Sequence, residues 1–246
     1  IKFMLKARTD LLWFGGIGTY IKAAHETHAD VGDKANDPVR INANEVRARV
    51  IGEGANLAIT QLGRTEYAQN GGAINTDFID NAGGVDTSDH EVNLKILLND
   101  VVAEKSHKMS VGARNRLLEN MTENVAEKVL SHNYHQAMAI SMAAMQSPEN
   151  LPVQAEFIED LEKNEGIRRD LEGLPDEEDL EKRKQRGQGL TRPEIAVLLS
   201  YAKITFTKDL LVSDIPDNPN MRVWLHDYFP DRIQKKYASE IERHLL

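Results

Sequence analysis

Glycines at the ends of short apolar runs are the residues whose type and spacing point most clearly to chemistry. They fall in three clusters, Gly15 to Gly18, Glu53 to Asn56, and Asn81 to Val85. In a doubly wound α/β sheet, ligands bind beyond the carboxyl ends of the strands, where a residue without a side chain lets the backbone approach them. One such cluster is weak support, because most short glycine-rich turns are only turns. Together they indicate the ligand-binding edge of an α/β domain.

Three short strands are expected to position these clusters. Leu11-Leu12-Trp13-Phe14 is an apolar run that predicts a buried strand, Arg49 to Gly52 predicts a second, and Ala73 to Thr76 predicts a weaker third. We also expect a helix from Thr19. The polar stretch from Ala29 to Glu45 has no strong apolar face, so it predicts a long connection. Each predicted strand ends in small or turn-forming residues.

Beyond Ser88 the pattern changes to amphipathic helices, because apolar residues recur at helical spacing. The predicted buried positions are Leu94, Leu97, Leu98, Val101 and Val102, then Leu118, Met121, Val125 and Val129, then Tyr134, Met138, Met142 and Met145. We interpret the methionines as helix core, since this side chain fills irregular packing gaps. Ser147-Pro148 is expected to end the series.

Two of the later helices carry capping signals. Ser88-Asp89-His90-Glu91 and Thr191-Arg192-Pro193-Glu194 each place a hydroxyl three residues before a glutamate, the pattern of a capping box at a helix start. Between Glu159 and Arg186 the chain is densely charged with both signs, which favours solvated helix faces over a binding patch. The last helix is expected to run into Leu246.

The composition argues against several classes of protein. A formal net charge of -9 does not fit a broad nucleic-acid surface, which needs clustered Lys and Arg. Without cysteine there is no disulfide or thiolate metal site, and the cytoplasm is the expected location. No apolar run reaches the roughly 18 residues of a membrane span. The chain starts at Ile1 rather than at methionine, and we expect it to be a fragment of a longer protein.

Two histidine pairs raise the question of a metal site. His25 with His28, and His132 with His135, can each place two rings on one helix face. Zinc normally takes three or four protein ligands, and no third ligand accompanies either pair in the sequence. We therefore predict surface histidines and no metal.

The sequences Val50-Ile51-Gly52-Glu53-Gly54-Ala55-Asn56 and Asp80-Asn81-Ala82-Gly83-Gly84-Val85-Asp86-Thr87-Ser88 resemble, in order and spacing, motifs late in the coenzyme domain of glutamate dehydrogenases. The run from Asp10 to Tyr20 is similar, more specifically, to the very large bacterial NAD-specific glutamate dehydrogenases. So is Leu190-Thr191-Arg192-Pro193-Glu194. The resemblance covers nearly the whole chain.

The fold that this resemblance implies is α/β followed by mainly α. Residues 1–90 would be the distal part of a Rossmann-like NAD-binding domain. A helical C-terminal extension would follow, with a helical segment packing on that domain at 91–158, a charged connection at 159–190 and the start of a helical C-terminal domain at 191–246.

The resemblance also implies which residues bind NAD. They are Gly15, Gly16, Gly54, Ala55, Asn56, Asn81 and Gly83. Asn56 and Asn81 would face the nicotinamide and its ribose, because an amide both donates and accepts hydrogen bonds and adds no charge beside a cofactor that changes charge on reduction. The alternative is that both asparagines only hydrogen-bond their own turns.

Ser88 is implied to bind the side-chain carboxylate of the substrate glutamate. A serine that caps its own helix is compatible with that role, because a helix N-terminus offers free N–H groups and the positive end of the dipole to an anion. Asp86, Asp89 and Glu91 put negative charge nearby. The carboxylate role therefore requires that these three side chains point away.

Several parts of the implied enzyme are missing from the chain. The glycine-rich pyrophosphate loop, the glycine-flanked lysine and the aspartate that move protons in this family are not found. The fragment is therefore expected to be inactive alone. The full-length enzyme, a homo-oligomer, would oxidise L-glutamate to 2-oxoglutarate and ammonium. A noncatalytic helical interaction module and a dehydrogenase for another amino acid are the alternatives.

Overall fold

The computed structural model describes residues 1–104 and 109–244, and this part of the chain is mostly helical with a few short strands. In chain order the elements are α1 (Lys2–Leu5), β1 (Leu11–Phe14), β2 (Ile21–Lys22), α2 (His28–Val31), β3 (Ile41–Asn42), β4 (Val50–Glu53), α3 (Gln61–Gln69), α4 (Asp77–Asp80), α5 (Ala82–Ala103), α6 (Val111–Glu119), α7 (Thr122–Asp160), α8 (Arg169–Glu172), α9 (Glu177–Gln185), α10 (Arg192–Leu211), α11 (Arg222–Tyr228), α12 (Asp231–Lys236) and α13 (Ala238–Ile241). A mixed α/β part is followed by helices, as the sequence predicts.

The chain divides into two compact units, each built from two stretches. The first unit contains Ile1–Asn81 and His135–Ile204, and the second contains the described parts of Ala82–Tyr134 and Thr205–Leu246. The predicted domain boundaries after residues 90, 158 and 190 stay a prediction.

In the first unit, β1 and β4 form a parallel pair with Leu11 opposite Val50 and Phe14 opposite Glu53. The two predicted strands are confirmed, but the expected full burial of β1 was wrong. Only Phe14 is buried, while Leu11 and Trp13 are more than half exposed, because side chains alternate between the two faces of a strand. The predicted third strand is reduced to a parallel bridge from Ala73 to Val50.

The helix expected from Thr19 was wrong, because the chain there forms β2. Ile21 of β2 is fully buried and lies opposite Ile41 of β3 in a second parallel pair. Ile59 bridges to Ile21 in the same direction. Three β-branched side chains in contact favour extended backbone over helix at this point.

The polar stretch from Ala29 to Glu45 is ordered around the buried side chain of Arg40. The Arg40 guanidinium donates from Nε to the Thr19 carbonyl at 2.8 Å and from Nη2 to the Asp33 carbonyl at 2.5 Å. It also pairs with Asp37. The expectation of a connection without a core face was wrong, because Ile41 and a buried cation together anchor this stretch.

The long helix α7 continues through Pro148 and Pro152, so the helix end expected at Ser147-Pro148 was wrong. Leu151 and Ile158, beyond the first proline, are buried in the same cluster as Ile140 before it. Most helical stability in proteins comes from packing of this kind. We infer that the core contacts on both sides of the prolines hold the helix together.

The methionines of α7 face away from this core. Met138, Met142 and Met145 are 41%, 55% and 84% exposed, while Ile140 is 0% exposed. Tyr134 is exposed too, so the prediction that this series is helix core was wrong. The buried face runs through Ile140 and Leu151, which lie on the opposite side of the helix from the methionines.

The core of the second unit follows the predicted stripe of α5. Leu94, Leu97, Leu98 and Val101 are buried and form a cluster with Met121 and with residues of α11–α13 and their connections. The last helix ends at Ile241, so the expected run to Leu246 is not seen, and residues 245 and 246 lie outside the described part. Among residues 1–104 and 109–244, no helix has the length and apolarity to span a membrane.

Candidate functional site

The loop after β4 carries three of the residues predicted to bind NAD, Gly54, Ala55 and Asn56. The Ala55 N–H donates to the Phe14 carbonyl at 3.0 Å, which joins this loop to the end of β1. Gly15 and Gly16 continue directly from Phe14 and are exposed. The carboxyl ends of two adjacent parallel strands therefore bring the first two glycine clusters together, as the sequence predicts.

Asn56 and Asn81 are in direct contact. The Asn81 amide Nδ2 donates to Asn56 Oδ1, although 25 positions separate the two residues. Asn56 is exposed and Asn81, which follows α4, is half-buried. The pair thus leaves donor and acceptor capacity free to face solvent or a ligand. The alternative that each asparagine binds only its own turn does not describe this contact.

A buried charged cluster lies directly beneath the loop. Arg64 of α3 donates to the Glu53 carboxylate at 2.6 and 2.9 Å, and Asp77 Oδ2 lies 3.2 Å from Arg64 Nη2. All three side chains are buried. Burial raises the pKa of Glu53, and the paired guanidinium acts in the opposite direction. We name these residues the Arg64 cluster.

The Arg64 cluster holds the backbone of the loop in place on both sides of Asn56. Asp77 Oδ2 accepts the N–H of Leu57 at 2.8 Å, and Leu57 holds a left-handed φ of 63°. A non-glycine residue rarely adopts such a φ unless surrounding contacts hold it there. Glu53 lies at the start of the loop and Leu57 at its end. Arg64 therefore holds both ends, Glu53 directly and Leu57 through Asp77.

Asp80 links the end of β4 to α4. Its carboxylate accepts the Glu53 N–H at 3.0 Å and the Asn75 side-chain amide at 3.0 Å. Asn75 Oδ1 in turn accepts from the Arg192 guanidinium at 3.1 and 2.9 Å. Burial raises the pKa of Asp80. Together with the Arg64 cluster, these contacts set the position from which Asn81 reaches Asn56.

Sequence reasoning did not identify Arg64, Asp77 or Asp80 as residues that shape the site. Asp80 is the first residue of the quoted motif and Asp77 lies three residues before it, but nothing in the sequence pairs them with Arg64. A useful signal would have been an arginine in a short helix that otherwise presents few charges to solvent. Its burial is only evident once α3 is packed on β2 and on the turn Ala43–Glu45.

The glycines of β4 and its loop make room for a tryptophan. A Cβ on Gly52 would lie 2.6 Å from the Trp13 ring, and a Cβ on Gly54 would lie 2.5 Å from it. Both distances are too short for a real side chain. A Cβ on Gly15 would meet Trp13 only at 3.8 Å, and Gly16 has nothing within 4 Å. Packing of Trp13 is therefore a structural reason for glycine at 52 and 54, and it does not apply at 16.

Gly83 and Ser88 belong to the second unit and lie on α5. This helix begins at Ala82, so the capping box predicted at Ser88 was wrong. The free N–H groups of the helix start precede Ser88 by about a turn and a half, and Ser88 offers its exposed hydroxyl alone. A Cβ on Gly83 would find only ordinary contacts at 3.6 Å or more.

The acidic residues around Ser88 are partly engaged elsewhere. Asp86 lies 3.0 Å from His132, and Glu91 pairs with Lys95 one turn further along α5. The second predicted capping box is confirmed as a helix start. Glu194 accepts the Thr191 N–H at 2.7 Å, and α10 begins at Arg192.

Comparison with known proteins identifies the family to which this chain belongs. Residues 1–143 match the family model described as bacterial NAD-glutamate dehydrogenase, catalytic domain, and residues 187–246 match the one described as glutamate dehydrogenase, C-terminal. The α/β part and its strand-end loops lie within the first of these matches. The chain belongs to the bacterial NAD-glutamate dehydrogenase family.

Three relatives are similar over all 246 residues. The chain is 50% identical to the NAD-specific glutamate dehydrogenase of Pseudomonas aeruginosa, 47% identical to that of Halomonas elongata and 46% identical to that of Mycobacterium tuberculosis. Each comparison covers 100% of this chain and 15% of the relative's length.

Proposed function

We propose that this chain is the nicotinamide-facing part of a full-length enzyme that oxidises L-glutamate with NAD. The contact between Asn56, in the loop after β4, and Asn81, which follows α4, carries the proposal, because it joins two motifs that the family resemblance links to one cofactor. Family membership and the names of the three relatives support glutamate as substrate and NAD as cofactor.

The reaction would convert L-glutamate, NAD⁺ and water into 2-oxoglutarate, NADH, ammonium and a proton. NAD, when bound, takes a hydride from the α-carbon of glutamate. The residues of this chain would bind NAD and glutamate and orient them for this transfer. The side-chain amides of exposed Asn56 and half-buried Asn81 offer a donor and an acceptor that suit a carboxamide or a ribose hydroxyl.

The parallel pair of β1 and β4 would be the distal edge of a Rossmann-like domain. Gly15, Gly16, Gly54 and Ala55 lie at its carboxyl end, where such domains bind their cofactor. Gly16 is the open position for a close backbone approach, since Trp13 fills the space at Gly54. The pyrophosphate loop and the proton-transferring groups would come from other parts of the full-length enzyme, and the chain alone would be inactive.

We also propose roles for Gly83 and Ser88, which lie on α5: Gly83 as a contact of NAD and Ser88 as a contact of the substrate. Ser88 would donate its hydroxyl to the distal carboxylate of glutamate. The backbone N–H groups once expected to help at this position are engaged inside α5. For the full-length protein we propose a homo-oligomeric enzyme located in the cytoplasm.

A second candidate is a noncatalytic interaction module. The exposed face of Met138, Met142 and Met145 favours it, because apolar side chains that recur on one helix face often mark a protein contact. Such a module would not need the asparagine pair. Loss of catalysis on substitution of the pair, with assembly intact, separates the two candidates.

The experiment is an assay of the full-length protein with L-glutamate, L-leucine and L-phenylalanine, each with NAD and with NADP. We expect oxidation of glutamate with NAD to exceed every other combination. Faster turnover of leucine or phenylalanine would instead support a dehydrogenase for another amino acid. No turnover of any of the three would favour the interaction module.

A further inference from the structure

Three side chains with metal-binding atoms meet in the second unit, apart from the residues proposed for NAD. Asp86 and His90 are one turn apart on α5, and His132 lies on α7. One ligand atom from each lies within 4.8 Å of the other two. Asp86 Oδ1 is 3.6 Å from His90 Nε2, and Asp86 Oδ2 is 3.0 Å from His132 Nδ1.

The burial of His90 points to a missing partner. Its ring is 0% exposed, and neither nitrogen has a hydrogen-bond partner among the described residues. Buried polar groups in proteins are nearly always satisfied, so such a group calls for an explanation. The ring stacks on Tyr228 with centroids 4.5 Å apart, which holds it in place with Nε2 near Asp86.

The three side chains are of the kinds that bind zinc. Imidazole nitrogens and carboxylate oxygens are among its usual protein ligands. Asp86 is half-buried and His132 is exposed, so an ion can reach the cluster from solvent.

We propose that Asp86, His90 and His132 bind one Zn²⁺ ion. Zinc accepts two imidazoles and a carboxylate at about 2.0 to 2.2 Å with water in the fourth position, and a tetrahedron of that size separates its ligand atoms by roughly 3.3 Å. The two Asp86 oxygens lie near this separation from the rings, Oδ1 at 3.6 Å from His90 and Oδ2 at 3.0 Å from His132, and one of them would bind the ion. Two ring nitrogens favour zinc over magnesium or calcium, which prefer oxygen ligands.

The ion would join α5 to the part of α7 that lies in the same unit. It would give His90 Nε2 the partner that it lacks and would hold His132, whose side chain is otherwise exposed. The sequence prediction of no metal considered only histidine pairs close in sequence. The third ligand lies 46 positions from His132 and becomes visible only when the helices pack.

Metal titration of the full-length protein tests the site. The protein is stripped with a chelator and titrated with Co²⁺, whose visible absorption reports tetrahedral geometry, and then with ZnCl₂ by calorimetry. The variants are His132→Ala and Asp86→Asn, with His135→Ala as the matched control on the next turn of α7. His132 is exposed, so its variant keeps the fold even if Asp86→Asn does not.

We expect the wild type and His135→Ala to bind one more equivalent of Zn²⁺ than His132→Ala. If His132→Ala still binds Zn²⁺ at this site, its affinity for Zn²⁺ should be lower than that of the wild type by about 10-fold or more. The absorption bands of tetrahedral Co²⁺ should disappear in this variant. Equal stoichiometry and equal affinity for Zn²⁺ in His132→Ala and the wild type would overturn the proposal. So would a wild-type protein that binds no Zn²⁺.

Discussion

The guanidinium of Arg64 donates two hydrogen bonds to the carboxylate of Glu53, with Nε 2.6 Å from Oε2 and Nη2 2.9 Å from Oε1. Both side chains are buried. The pair sits at the exact point where β4 gives way to the loop that carries Asn56. Its integrity therefore decides where that asparagine lies.

Replacing Arg64 with Met should destabilise the chain strongly. The substitution leaves Glu53 and Asp77 buried without their cation, and loss of one partner of a buried ion pair costs about 3 to 5 kcal/mol. Arg49→Met is the matched control, since Arg49 pairs with Asp10 in full exposure and should contribute roughly 0 to 1 kcal/mol. Urea unfolding measures both variants. Similar losses for the two would contradict the importance of the Arg64 cluster.

Gly54, which lies against Trp13, and Gly16, which does not, should respond differently to alanine. Gly54→Ala puts a Cβ 2.5 Å from the Trp13 ring, and we expect a loss of about 1 to 3 kcal/mol from overpacking. Gly16→Ala meets nothing within 4 Å and should leave stability unchanged. Thermal unfolding gives the comparison, and the double variant Trp13→Leu with Gly54→Ala should recover part of the loss. If Gly54→Ala unfolds at the same temperature as the wild type, Trp13 moves aside without cost and the prediction is wrong.

Part of this fold could be predicted from the sequence, and part could not. The strands at Leu11 and Val50 and the buried stripe of α5 follow from short-range periodicity, which local residues determine. The family resemblance predicted that Asn56 and Asn81 face one cofactor, but it did not predict that the two side chains contact each other. The Arg64 cluster could not be predicted, because its members are polar residues far apart in sequence whose burial depends on tertiary packing.

The errors have physical causes as well. Helix α7 presents apolar residues on two opposite faces, and periodicity alone does not say which face the core covers. Ile140 and Leu151 are covered and the methionines are not. At Ser88 a favourable capping pattern lies inside a helix that already began at Ala82, because a capping box is a local preference that a longer helix overrides.

The two faces of α7 should differ in their sensitivity to truncation. Ile140→Ala removes a fully buried side chain and should cost about 2 to 5 kcal/mol, while Met142→Ala, at an exposed position, should cost less than about 1 kcal/mol. Chemical denaturation of this chain provides the measurement. A large loss for Met142→Ala in the full-length protein, but not in this chain alone, would indicate that another part of the protein covers the methionine face.

Acid should weaken the segment that contains Asp33. The backbone N–H of Thr19 and the amide of Asn36 donate to its carboxylate at 2.8 and 2.7 Å, and these bonds lower the pKa of Asp33 below its usual 3.8. Because the folded pKa is depressed, the contribution to stability is present above pH 3.8 and is lost as the pH falls through the folded pKa.

Asp33→Asn should therefore destabilise the chain at pH 7 and make less difference at pH 3. Melting temperatures of both proteins at the two pH values measure this change. Asp10→Asn, at an exposed site, serves as the control and should show little difference at either pH. A gap between wild type and Asp33→Asn that is unchanged at pH 3 would exclude the ionised carboxylate as the source.

The most direct test of the proposed NAD edge is the affinity of the full-length enzyme for NAD after substitution of the asparagine pair. Loss of one hydrogen bond of about 1 to 1.5 kcal/mol corresponds to a rise of about 5- to 10-fold in the dissociation constant. We predict that rise for Asn81→Ala and for Asn56→Ala, with no change for the exposed control Asn44→Ala. Unchanged NAD binding and turnover in both variants would contradict the account.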